Sequence, residues 1–147
     1  MANDDVSPPA HVSTDLRGRS SPFHDLLGFR MTEWRAGHCV IECEIGDRHM
    51  NRNNAVHGGV LMALLDEAAA AAGVWSAGNV ARRSVTVDLT TSFVGRAGAG
   101  RLTATGTMIG HGRQIFFCRS EVRDAAGALV AAASSTHRWR TERAPPV

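Results

Sequence analysis

The 147-residue chain is poor in the features that would assign it quickly. It has three cysteines, Cys39, Cys43 and Cys118, an odd number with no Cys-x-x-Cys pair. That argues against a disulfide scaffold and for a reducing, cytoplasmic setting. Its seven histidines are dispersed and form no HExxH-type spacing, so no metal site is expected. The formal net charge is only +2, with arginines appearing singly or as the pair Arg82-Arg83. A nucleic-acid stripe is therefore not expected. No apolar run reaches the roughly 18–20 residues that span a bilayer, because Asp66 and Glu67 interrupt the longest one. The first ten residues, MANDDVSPPA, are acidic and proline-containing, the reverse of a secretion signal.

What remains is one domain's worth of chain with clear periodicities. Residues 1–21 read as a polar tail, 22–142 as the domain and 143–147 as a second tail. Phe23 to Leu27 suggests a helical turn. Phe29 to Trp34 and Cys39 to Ile45 read as a hairpin joined at Arg35-Ala-Gly-His38, the second strand alternating Cys39, Ile41, Cys43 and Ile45 with polar residues. After a polar connection, GDRHMNRNNA, an apolar helix is expected from about His57 to Ser76, closed by Gly78-Asn79. It is apolar on nearly every side, so it should be enclosed. Four strand segments then follow, the first alternating cleanly. In Ser84 to Phe93, Val85, Val87, Leu89 and Phe93 fall on one side and Thr86, Asp88, Thr90 and Ser92 on the other. Arg101–Ile109, Gln114–Arg123 and Ala128–Trp139 follow on tight turns as an antiparallel meander. The element order is taken as β-β-α-β-β-β. It is an α+β class with five to six antiparallel strands around one long helix.

Two features of that helix bear on chemistry. The first N–H groups of a helix lack intrahelical partners and carry the positive end of its dipole. Gly58 and Gly59 there would let a ligand approach the backbone closely, as an oxyanion site requires. A carboxylate at Asp66, stripped of part of its water shell, suits work as a base or nucleophile. Glu67, about 100° round the helix, is expected to be a structural or interface charge. Gly58 and Asp66 are eight residues apart, about 12 Å along the axis at roughly 1.5 Å per residue. They cannot serve one carbonyl from a single helix, so two antiparallel copies related by a two-fold axis are expected, each site shared.

Asn51, His57-Gly58-Gly59 and Asp66, with an Asn six residues before the HGG and an acid nine after its His, resemble the pattern of the PaaI-like and 4-hydroxybenzoyl-CoA-type hotdog thioesterases. VTVDLTTSF (Val85 to Phe93) and DAAGALVAAASSTHRW resemble that family's strand after the helix and its last hairpin. Coverage runs from about residue 23 onward. The resemblance implies a hotdog fold and hydrolysis of an acyl-CoA thioester, with no cofactor beyond the substrate's own CoA. Asp66 would be nucleophile or general base, Gly58 would donate its N–H to the thioester carbonyl, and His57 and Asn51 would orient that carbonyl or the water. Thr86 falls where some members carry a polar helper. Gly59, Val60 and Ala63 would line the substrate, and small residues including Ala69, Ala70 and Gly73 leave room for a medium-chain or aryl acyl group. Arg96 and Arg113, with Arg82 and Arg83, could meet CoA phosphates. A homodimer or homotetramer is implied, with no nucleic-acid or membrane partner. The rival reading is a hotdog protein that binds acyl-CoA without catalysis.

Overall fold

The computed structural model describes residues 21–75 and 82–140. The tail expected at 143–147, nearly all of the one at 1–21, and the helix stop at Gly78-Asn79 lie outside them. The elements are α1 (Pro22–Leu27), β1 (Phe29–Arg35), β2 (His38–Ile45), a 3-10 turn at Asp47–His49, α2 (Gly58–Val74), β3 (Arg83–Phe93), β4 (Gly100–His111), β5 (Ile115–Arg123) and β6 (Leu129–Arg140). Four strands follow α2, one more than the order β-β-α-β-β-β allows. Each corresponds to one of the four segments read after the helix.

The strands form one antiparallel sheet in the order β1-β2-β4-β5-β6-β3. β4, β5 and β6 form the expected meander. β3 instead crosses over to pair with β6, which leaves it as an edge. A register shift between Thr86 and Asp88 makes Val87 an extra residue in β3. Such a bulge reverses the side-chain alternation beyond it. The expected split of β3 is corrected accordingly. Thr86 pairs with buried His137 before the bulge, while Leu89 and Thr91 pair with buried Ser135 and Ala133 after it. These three β3 residues share the helix side, and Val85 and Val87 are exposed.

α2 lies across the inner face of this sheet, as a hotdog fold requires. Leu64, Leu65, Ala68, Ala69 and Ala72 are all but inaccessible. The run of alanines lets the helix backbone approach the strands, most closely at Gly106 of β4. A Cβ there would stand 2.1 Å from the Ala68 carbonyl oxygen. The orphan carbonyls at the helix C-terminus are met by side chains of the sheet. Trp34 Nε1 donates to Ala71 O (2.8 Å) and Trp139 Nε1 to Gly73 O (2.9 Å). The buried Cys118 thiol bonds Ala69 O (3.3 Å). All three cysteines are buried free thiols.

α1 is pinned at both ends. Ser21 caps its start by accepting from His24 N (3.2 Å), and Gly28, in the left-handed region at φ 72°, ends it. Buried His49 accepts from Gly46 N at Nδ1 (2.9 Å), which leaves its proton on Nε2 to donate to Leu27 O (2.7 Å). His24 Nε2 meets Glu67 Oε2 at 2.8 Å, so Glu67 is the structural charge that the helix pattern suggested. The Glu67 bond holds the His24 imidazole above its ordinary value of 6.5, against an opposing effect of burial. A raised folded-state value means a stabilisation fully present below about pH 6.5 and lost as pH rises through the His24 value. The melting-temperature difference between the wild type and His24→Gln should therefore shrink as pH is raised from about 6 to 9. A difference that stays constant over that range rules the ion pair out as its source.

Candidate active site

Asp66 lies on a half-buried stripe of α2 formed by Ala63, Asp66, Glu67 and Ala70, the i, i+3, i+4, i+7 spacing of one helix face. The bulge in β3 brings Thr86 over this stripe. The Thr86 hydroxyl donates to Asp66 Oδ1 at 2.7 Å. Behind it, His137 Nδ1 stands 3.3 Å from Thr86 Oγ1, and His137 Nε2 stands 2.9 Å from Ser135 Oγ. Because Thr86 gives its proton to the carboxylate, its oxygen can only accept from His137. The imidazole therefore carries its proton on Nδ1 and accepts the Ser135 hydroxyl at Nε2. The donors run in one direction, from Ser135 to His137 to Thr86 to Asp66. His137 is fully buried and stacked on Phe116, with ring centroids 4.9 Å apart at 11°. Burial pushes its pKa below 6.5, against a smaller upward pull from Asp66. A neutral ring is what this donor chain needs.

His137 and Ser135 do not stand out in the sequence as site residues. The available signal was period two: Ala131, Ala133, Ser135 and His137 share the buried face of β6, and a polar pair on such a face needs partners.

The second half of the expected site gathers at the N-terminus of the helix. His57 is the N-cap of α2, its Nδ1 accepting from Gly59 N at 2.9 Å. That uses the Gly59 N–H and leaves the His57 proton on Nε2. The Gly58 N–H meets no acceptor among the described residues. The Phe93 ring lies beside Gly58, 3.3 Å from where a Cβ would stand, so the absence of a side chain leaves the backbone here open to close approach. Asn51 Oδ1 accepts from Asn53 N (2.9 Å) and Ala55 N (3.1 Å), which shapes the loop leading to His57 and leaves its amide NH₂ to donate. Arg96 Nη2 donates to Asn53 O (2.9 Å) and Asn54 O (3.3 Å). It braces that loop.

The structure thus gathers Asp66 with Thr86, and Asn51, His57, Gly58 and Gly59 with Arg96, but it keeps the two groups apart on one chain. Arg113 belongs to neither; it is on the β4–β5 turn. Val60 is buried in the core. Ala69 and Gly73 do not line an acyl cavity, because both pack against the sheet. A Cβ on Gly73 would fall 2.0 Å from the buried Phe116 ring.

With this geometry in hand, comparison with known proteins is decisive for the family. Residues 53–131 match the family model described as the thioesterase superfamily. The chain belongs to the thioesterase superfamily. Relatives of this thioesterase-superfamily chain include a protein of Archaeoglobus fulgidus provisionally classed as an esterase, 25% identical over 133 residues, or 90% of this chain and 84% of that one. A point mutant of the phenylacetic acid degradation protein PaaI from Thermus thermophilus is 28% identical with a TM-score of 0.72, covering 80% of this chain and 98% of that one. A Streptococcus mutans protein solved with acetyl-CoA bound shares the fold at TM-score 0.70 and 21% identity, covering 79% and 91%. Among the described residues of this superfamily member, no helix is long and apolar enough to cross a membrane.

Proposed function

We propose that this thioesterase-superfamily chain hydrolyses an acyl-CoA thioester to the free acid and CoA, in sites shared between two copies of the chain. The observation that carries this reading is the division of the site. One carboxylate, oriented by a threonine hydroxyl, lies on the open face of α2. One backbone donor without a partner among the described residues lies eight residues earlier on the same helix, about 12 Å away.

An antiparallel pair of α2 helices brings Gly58 of the partner subunit opposite Asp66. The sheet edge supports such a pairing. β3 is an eleven-residue edge strand with Val85, Val87 and Phe93 exposed, and a long apolar edge left uncovered is an aggregation template. In a single chain Asp66 is only half-buried and Thr86 is exposed. The enclosure expected around the acid is supplied by the second copy.

In this arrangement the thioester oxygen accepts from the Gly58 N–H at the positive end of the helix dipole, steered by the Asn51 amide and His57 Nε2–H. Asp66 takes a proton from a water whose oxygen adds to the carbonyl carbon; the tetrahedral oxyanion then collapses and the C–S bond breaks. The sulfur leaves as thiolate and is protonated. Direct attack by Asp66 would pass through a mixed anhydride that water cleaves to the same products. The Thr86 hydroxyl, fixed by His137, keeps one carboxylate oxygen occupied so that the other faces the substrate. CoA is part of the substrate, and no further cofactor is required.

The test is thiol release across a panel of medium-chain and aryl acyl-CoA esters, with the solution mass measured in parallel. Turnover by a dimer or tetramer is expected. Tight acyl-CoA binding without thiol release would favour a non-catalytic binder, and an active monomer would defeat the shared site.

A further inference from the structure

The inner face of β6 carries Ala131, Ala133, Ser135 and His137, and on β5 Phe116 stands opposite His137 and Cys118 opposite Ser135. An imidazole and a hydroxyl in such apolar company cost free energy unless they are hydrogen-bonded. Two aliphatic side chains would fill the space without that cost. The neighbouring side-chain donors tie the fold together through its backbone. Trp34, Trp139 and Cys118 reach carbonyls of α2, and His49 reaches Leu27 O. The side chains of Ser135 and His137 make no such bond among the described residues. Their contacts lead outward instead, through Thr86 to Asp66, at 2.9, 3.3 and 2.7 Å in turn.

Thr86 Oγ1 is the branch point of that run. Its single proton has two possible destinations, Asp66 Oδ1 and His137 Nδ1. With the ring protonated on Nε2, Nδ1 would be an acceptor and would compete with the carboxylate. With the proton on Nδ1, the ring can only donate to Thr86, and the hydroxyl must give its own proton to Asp66. The ring is held to this task on two sides. Phe116 stacks on it at 4.9 Å and 11°, and Ser135 Oγ meets its far nitrogen. Donors aligned in one direction also strengthen one another.

Resting on the hydrolase reading above, we infer that His137 is a positioning residue for Asp66, with Ser135 as its support. The ring commits the Thr86 proton to Asp66 Oδ1 and so leaves Oδ2 as the oxygen that reacts. Because His137 is buried behind Thr86, its loss lowers turnover without weakening substrate binding.

Two near-isosteric replacements test this. Asparagine places an amide N–H on the carbon that bears Nδ1 in histidine, whereas leucine places a methyl group there. kcat and KM are measured on the best acyl-CoA ester of the panel, alongside the melting temperature. His137→Leu should lose about tenfold in kcat, the lower end of what orienting groups contribute, with KM within about twofold of wild type. His137→Asn should recover most of that loss although it is the less stable of the two, because a buried amide leaves polar atoms unpaired. A purely structural role forecasts the reverse order, with activity following melting temperature. Equal kcat in the two variants, or a loss carried by KM, overturns the proposal. A second measurement needs no turnover. Nitrogen-15 NMR, with the His137 signal assigned by its loss in His137→Leu, should show the wild-type ring protonated on Nδ1. Both tautomers should appear in Asp66→Ala, where the acceptor that fixes the direction is gone. A wild-type ring protonated on Nε2, or a tautomer indifferent to Asp66, also overturns the proposal. If no ester is hydrolysed but the tautomer follows Asp66, the positioning stands and the hydrolase reading falls.

Discussion

Asp66→Asn is expected to lower the rate of thiol release by about three orders of magnitude, within the range by which a positioned base or nucleophile contributes. That corresponds to about 4 kcal/mol of lost transition-state stabilisation. The substitution is nearly isosteric. The amide oxygen can still accept from the Thr86 hydroxyl that now meets Oδ1 at 2.7 Å, so the fold should lose no more than about 1 kcal/mol. Acyl-CoA binding should survive, because the donors at Asn51, His57 and Gly58 that hold the carbonyl are untouched by the substitution. The structural alternative, in which Asp66 merely ties α2 to β3, makes the opposite forecast. Stability would fall and turnover would follow only as far as folding did. Unimpaired thiol release by a folded Asp66→Asn protein would end the mechanism. Thr86→Val should sit between these limits, losing about ten- to a hundredfold, as groups that orient a reacting side chain typically do. Thr86→Ser should recover most of it, since the hydroxyl that receives from His137 and gives to Asp66 is retained.

The largest expected effect on stability is at Gly106→Ala. The new Cβ would stand 2.1, 2.3 and 2.6 Å from Ala68 O, Ala68 C and Ala69 N. These are helix backbone atoms and have no rotamer to escape into. Overpacking in a core costs about 1–3 kcal/mol where side chains can yield; here the helix itself must lift from β4, so the cost should reach or pass the upper figure. A fall in melting temperature of more than about 10 °C is expected. Activity should fall with it, because the same movement pulls Asp66 away from the strands that carry Thr86 and His137. Gly98→Ala, where a Cβ meets nothing within 4 Å, is the control and should be near neutral. A Gly106→Ala protein as stable as the wild type would show that α2 and β4 are not in the close contact described.

The elements were legible because each rests on local pattern. Alternation in β2 and β3 and turn residues around the others marked all six strands to within a residue or two, and the apolar run from Val60, interrupted only by Asp66 and Glu67, marked α2. The offsets of Asn51, His57 and Asp66 pointed to the superfamily, and the eight-residue gap between Gly58 and Asp66 already required a second copy if both act on one carbonyl. The bulge at Val87 was not legible. Nothing in VTVDLTTSF distinguishes a strand that alternates throughout from one that changes face midway; the pairing with β6 decides it. That one inserted residue puts Thr86 on the helix side with Leu89 and Thr91. The role of His137 was hidden for a related reason, since it lies 51 residues from Thr86 in sequence and meets it only because β3 crosses to the far side of β6. Local spacing determined which residues form the helix and strands, and which of them are chemically able. Long-range strand pairing, which spacing along one segment does not encode, decided which of those residues touch.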